Sequence, residues 1–327
     1  MLENKKTNII GIILLLFATL AWGTSFVFLK QTIETVPAFY VISLRFLTAG
    51  AVLAIVFIKR IIKIDKGTFL GGVVLGLILA GAYLTQTSGL KYTTPSQNAF
   101  LTSSYCVLCP FLVWLLFRKK PKIYNVFAAV LCITGIGLIA FAGKNETGSN
   151  LILGDGLTLM GAIFFALQII FIDYFQGKGK DPLKMLVFEL LTVGVVCAIS
   201  SLIIELPKVG ISGYKLNMEQ LSKIGYLTLV CTLMTQFAQI IGQKFVKPNQ
   251  SAIILSLEAV FGAIFSVIMG AETLSFGLIL GFVAVFGAVL ISELKPDIKK
   301  IFSKSKSDNK GDDAILENSG DAISKSE

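Results

Sequence analysis

Arg45-Phe46-Leu47-Thr48-Ala49-Gly50 and Glu189-Leu190-Leu191-Thr192-Val193-Gly194 share Leu, Thr and Gly at matching places, 144 positions apart, and open on charges of opposite sign. Thr94-Pro95-Ser96-Gln97-x-Ala99 is likewise matched by Lys247-Pro248-Asn249-Gln250-x-Ala252 at an offset of 153. Further on, Gly135-x-Gly137-Leu138-Ile139 parallels Gly287-Ala288-Val289-Leu290-Ile291. Each match is short, but their common order and near-equal offset describe one unit written twice.

The unit is made of apolar runs. A helix crossing the ~30 Å of bilayer hydrocarbon needs roughly 20 apolar residues. Ten stretches qualify, at 9–29, 38–58, 68–90, 96–117, 123–143, 156–173, 185–204, 224–243, 251–271 and 276–292. Arg45, Glu189 and Glu258 are the charges well inside them, and Asp173 ends one. The first run follows Lys5 and Lys6 as a signal peptide would, but it is too long, and nine more follow. The expected fold is all-α integral membrane, with ten transmembrane helices as two inverted five-helix repeats.

Orientation follows from alternate loops. Of 29 Lys and Arg, 22 fall on the side of both termini, six on the other, and Arg45 lies between. Both ends are therefore expected in the cytoplasm. Five is odd, so the second unit must run inverted relative to the first, an arrangement that recurs in transporters. The expected units are an N-terminus 1–8, repeats 9–143 and 154–294, an extracytoplasmic linker 144–153, and a polar, disordered tail 295–327.

Composition excludes whole classes of function. Hydrophobic residues make up 54% and charged residues 15%, against roughly a quarter charged in soluble domains. The +9 charge is spread over loops rather than gathered in a patch, so no nucleic-acid partner is expected. Histidine is absent, which removes His-based metal sites and Ser-His or Cys-His nucleophiles. The five cysteines lie in apolar runs, and Cys106-x-x-Cys109 has no second pair, so both read as packing. No Walker-type loop is present. No metal, cofactor or enzymatic activity is expected.

Charges inside lipid call for an explanation, at about 2.5–3.5 kcal/mol each. Arg45 lies about 10 Å deep from the lysine-poor side at ~1.5 Å per residue. It reads either as a bidentate carboxylate clamp or as an anchor that snorkels or pairs with Asp155 or Glu272. Glu258 and Glu189 lie nearer the other face, which separates them from Arg45. Each reads as a cation or proton-coupling partner, or as an interhelical hydrogen-bond partner. Polar residues recur at helical spacing: Gln236 and Gln239, with Thr232 and Gln243, in the eighth span; Asn98, Thr102 and Tyr105 in the fourth; Tyr83 and Gln86 in the third; Gln168 in the sixth. Three polar faces exceed what helix adhesion needs and predict a central cavity. Trp22 either lines that cavity or packs. Gly67-x3-Gly71 and Gly72-x3-Gly76 predict close helix approach.

Trp22-Gly23-Thr24-Ser25-Phe26, Arg45-Phe46, Tyr92–Ala99, Gly154-Asp155-Gly156 and Leu257-Glu258-Ala259-Val260-Phe261 occur in order, followed by Gly270-Ala271-Glu272-Thr273-Leu274. In these motifs the chain resembles the drug/metabolite transporter superfamily, in its EamA-type ten-helix branch, over residues 9–294. Ala259 stands where that family usually has proline, and Lys119-Lys120 stand where the second half has Glu272. The resemblance implies a carrier of small metabolites, often amino acids, through a central cavity. The expected function is secondary transport of such solutes by alternating access, with the lipid bilayer, a small-molecule substrate and a possible homodimer as partners. A nucleotide-sugar or phosphometabolite exchanger is the alternative within transport, and a membrane-embedded lipid-modifying enzyme is the alternative outside it.

Overall fold

The structure, a computed structural model, describes residues 2–142, 151–271 and 275–294. The tail 295–327, Glu272 and most of the 144–153 linker lie outside these. The described residues form ten helical rods and no strand. In chain order the first five are α1 (Leu2–Ile33), α2 (Ala38–Val56), α3 (Lys66–Leu90), α4 (Pro95–Phe117) and α5 (Ile123–Ala142). The second five are α6 (Leu151–Gly177), α7 (Pro182–Val209), α8 (Met218–Gly242), α9 (Pro248–Ile268) and α10 (Phe276–Leu294). Eight are long and apolar enough to cross a membrane, while α5 and α10 carry shorter apolar stretches. Where water is absent, a helix satisfies every backbone group within itself, which is why such runs form helices rather than open strands.

Polar residues mark the starts. Asp65 accepts from Thr68 N (3.0 Å) at the head of α3, and Asp181 accepts from Leu183 N (3.0 Å) before Pro182. Thr94 accepts from Gln97 N (3.3 Å) before Pro95, whereas its repeat counterpart Lys247 makes no side-chain cap. The outward faces are apolar: Ile55 is 71% exposed, Leu115 76% and Ile203 68%, as a surface solvated by lipid requires.

The two halves meet through equivalent residues. Leu47 packs on Gly194 and Leu191 packs on Gly50, so α2 and α7 cross antiparallel with one contact made twice. A Cβ on Gly194 would come within 2.6 Å of Leu47, and one on Gly50 within 2.9 Å of Leu191. Likewise Gly89 at the end of α3 touches Gly154 at the head of α6, and Gly242 at the end of α8 touches Gly11 in α1. The predicted close approach falls where α3 lies on α7: a Cβ on Gly76 would stand 2.7 Å from the Glu189 carbonyl oxygen. In each case the contact is made from one half of the chain onto the other.

Two rods are broken at matching places. Helical pairing slips in α4 at Ser104 and in α9 at Leu257, positions 153 apart. There Ser104 N and Leu257 N both bond three residues back, to Leu101 O and Ile254 O. Serine hydroxyls that bond backward onto carbonyls bend helices, and Ser104 and Ser256 do so (both 2.7 Å). The break in α9 therefore forms without the proline that Ala259 replaces. Ser103 Oγ also donates to Ser256 O (3.1 Å), tying the two breaks together. Two rods hold π-turns, Ser201–Glu205 in α7 and Leu229–Met234 in α8.

Candidate functional site: a polar cavity between the halves

The breaks face a cavity of ≈ 30 Å³ at the centre of the bundle. Tyr105 and Glu258, the first residues beyond each break, both line it. From α1 comes Trp22 and from α2 Arg45; α3 supplies Tyr83 and Gln86, α6 Gln168, and α8 Gln236 and Gln239. Its volume suits about two waters at ~10–15 Å³ each, far below the ~300 Å³ of a small-molecule pocket. The halves are drawn together around it.

Arg45 is 1% exposed. Its Nε donates to Thr232 Oγ1 (3.1 Å), while Nη1 has no hydrogen-bond partner among the described residues. The guanidinium carbon lies 5.8 Å from the Tyr83 ring centre. It does not snorkel, and it does not pair with Asp155, whose carboxylate takes both bonds from Gln97 Nε2 (3.0 and 3.1 Å). No ion pair joins Arg45 to Glu189 among the described residues. The expected gulf in depth between Arg45 and Glu258 is corrected, since both reach one cavity. The rod α9 begins at Pro248, three residues before the counted span, so Glu258 sits mid-rod at the break.

Glu189, fully buried, stands one step behind the wall. Gln239 Nε2 donates to Gln168 Oε1 (2.9 Å), and Gln168 Nε2 donates to Glu189 Oε1 (2.8 Å). Glu189 Oε2 has no hydrogen-bond partner among the described residues. Thr102 and Asn98 also stand behind the wall. Thr102 accepts from Gln86 Nε2 (3.0 Å), and Asn98 donates to Gln86 O (3.2 Å) and Thr158 Oγ1 (2.7 Å). Sequence reasoning passed over the apolar part of the lining, of which Phe165 matters most. Its ring meets Tyr83 at 5.5 Å and Tyr105 at 6.3 Å. The described residues hold no group of three His, Cys, Asp or Glu placed to bind a metal. Cys106 and Cys109 are buried and in no disulfide, and Cys109 donates to Asn249.

Ten apolar rods around a buried polar centre define a multi-pass membrane protein of the transporter class. The pattern of the EamA-like transporter family matches the chain twice, over residues 9–141 and 152–294, and the chain belongs to that family. A protein of Archaeoglobus fulgidus described as an uncharacterized transporter is 27% identical, over 85% of this chain and 82% of its own. Another of that description, from Haemophilus influenzae, is 25% identical over 82% and 95%. A solved crystal structure shares the fold, with a TM-score of 0.64 at 16% identity, over 88% of this chain and 98% of the other.

Proposed function

We propose that this transporter carries small zwitterionic solutes, amino acids and their relatives, by alternating access. The observation that supports it is one cavity lined by both Arg45, whose Nη1 is free, and the Glu258 carboxylate. A guanidinium fork takes a carboxylate, and a carboxylate takes an ammonium. Either charge buried alone is costly, and a zwitterion offsets both at once. The aromatic rings of Trp22, Tyr83, Tyr105 and Phe165 give the rest of the solute an apolar wall. A phosphate cargo fits less well, since one Arg and no Lys lines the cavity.

The reciprocal α2–α7 and α4–α9 contacts support inverted repeats related by an axis in the membrane plane. In this reading the lysine-rich end faces the cytoplasm, as do both termini, and the membrane is the bacterial plasma membrane. Energy comes from a proton or solute gradient, with Glu258 as the coupling acid and Glu189, tied to the wall through Gln168, as a second candidate. The test is flux into proteoliposomes of an amino-acid panel, with and without a pH gradient. Saturable flux is expected, and Glu258→Gln, which removes the ammonium partner together with the coupling acid, weakens exchange and abolishes gradient-driven uptake. Folded protein that moves no member of the panel would sink the reading.

A further inference from the structure

The π-turn Leu229–Met234 of α8 touches the cavity wall through two successive residues. Cys231 O accepts from Trp22 Nε1 (3.1 Å), and Thr232 Oγ1 accepts from Arg45 Nε (3.1 Å). We propose that this turn is the positioning element of the binding site, and that Thr232 sets the direction of the Arg45 fork. The inference rests on the reading of Arg45 as the carboxylate clamp.

A threonine hydroxyl has one proton to give and lone pairs to receive. Thr232 gives its proton to Leu227 O (2.9 Å), five residues back, where a threonine in a regular helix reaches three or four. With the proton committed, the lone pairs face Arg45 Nε. The wide register of the turn creates this geometry, and π-turns inside α-helices recur at functional sites. Bonding Nε to the protein holds the guanidinium plane and leaves Nη1 for a ligand. The same turn is fastened to α1 a second time, since Cys231 Sγ donates to Ala21 O (3.3 Å). Trp22 and Arg45, on different rods, are thus indexed to one another through two adjacent residues of a third.

The test uses the full chain in detergent carrying Trp114→Phe. Trp114 is 47% exposed, and its loss leaves Trp22 as the sole indole of the two. Trp22 emission is titrated with L-leucine and with L-leucinamide, which lacks the carboxylate. The parent is expected to prefer leucine. Thr232→Val, which removes one bond to a charged group, weakens leucine about tenfold or more and leaves leucinamide unchanged. Thr232→Ser restores the parent isotherm, and Thr232→Ala stands in should the valine variant not fold. An unchanged leucine isotherm in the valine or alanine variant, or equal weakening of both ligands, overturns the positioning role while the clamp stands. Arg45→Gln that keeps the preference for leucine, or a parent that responds to neither ligand, overturns the clamp and with it this inference.

Discussion

The two ends of the bundle are closed by the same device in different chemistry. At the lysine-poor end, Lys30 near the end of α1 reaches across the end of α3 and donates to Leu90 O (2.8 Å), Thr93 O (3.1 Å) and Lys91 O (3.2 Å). At the lysine-rich end, Gln176 near the end of α6 reaches across the end of α8 and donates to Ile240 O (2.8 Å). The positions are neighbours in the repeat rather than counterparts: Gln176 follows Lys30 by 146 residues and Ile240 follows Leu90 by 150, where the glycine contacts give 143 and 153. One latch is a cation set against the negative end of a helix, with three acceptors. The other is a neutral amide with one. The lysine-poor end has a further tie, because the buried Glu205 of α7 accepts from Phe39 N (3.0 Å) and Tyr40 N (3.2 Å) at the start of α2. In the alternating access proposed above, which opens each end in turn, these latches favour closure of the lysine-poor end.

Removing the Lys30 latch should have the largest effect. Lys30→Ala deletes charge-assisted bonds and a helix-dipole contact at a half-buried site, worth about 2 kcal/mol after allowance for solvent, or ~30-fold in population. In a cysteine-free background, Leu29→Cys reports on the cavity, since Leu29 lines it. Its labelling by an impermeant thiol reagent from the lysine-poor side should rise by about that factor. Labelling unchanged by Lys30→Ala would show that the three carbonyl bonds hold nothing shut.

Glu205→Gln comes next. The amide still accepts, but the charge that complements the α2 N-terminus is lost, and so is the 3.8 Å contact with Lys91. The same labelling should rise roughly five- to tenfold, corresponding to about 1 kcal/mol or slightly more. Gln176→Ala tests the opposite end. One neutral hydrogen bond contributes about 1 kcal/mol, so labelling from the lysine-rich side should rise roughly fivefold, less than Lys30→Ala gives on the other side. Equal shifts from Lys30→Ala and Gln176→Ala would break the comparison.

The scaffold behind this comparison was largely legible in the residues, because the repeat survives where backbones touch. Leu47, Gly50, Leu191 and Gly194 are the shared letters of the opening phrases and also the reciprocal contacts of α2 on α7. Polar residues such as Gln86, Gln168 and Gln239 were visible for a different reason, since an amide inside a lipid span must find a partner. Phe165 was invisible because an aromatic in an apolar run carries no such demand. The depth of Glu258 was misjudged because the apolar count begins at residue 251, whereas the polar first turn Pro248-Asn249-Gln250 already belongs to α9. The roles of Lys30 and Thr232 could not be read either. The first looks like any loop-end lysine, and the second depends on a π register that no spacing of residues announces.

The smallest expected effect lies at the lysine-rich surface, where pH supplies the test. Lys180 Nζ meets Asp65 Oδ1 at 2.8 Å, joining the start of α7 to the start of α3. The bond from Lys180 holds the Asp65 carboxyl well below the usual carboxylate range, helped by the Thr68 hydroxyl and amide. A folded value below the unfolded one means stabilisation that is complete above the ordinary carboxylate range and fades as the pH drops through and below it. Wild type should therefore melt slightly above Asp65→Asn at neutral pH, and the gap should close as the pH falls below about 4. Because the pair is exposed, added salt should shrink the gap as well, which it should not do to the buried Glu205 tie. A gap that widened on acidification would mean that Asp65 is held by something other than Lys180 and the head of α3. The tie at the lysine-rich end would then be stronger than its exposure allows, and the imbalance between the two ends correspondingly smaller.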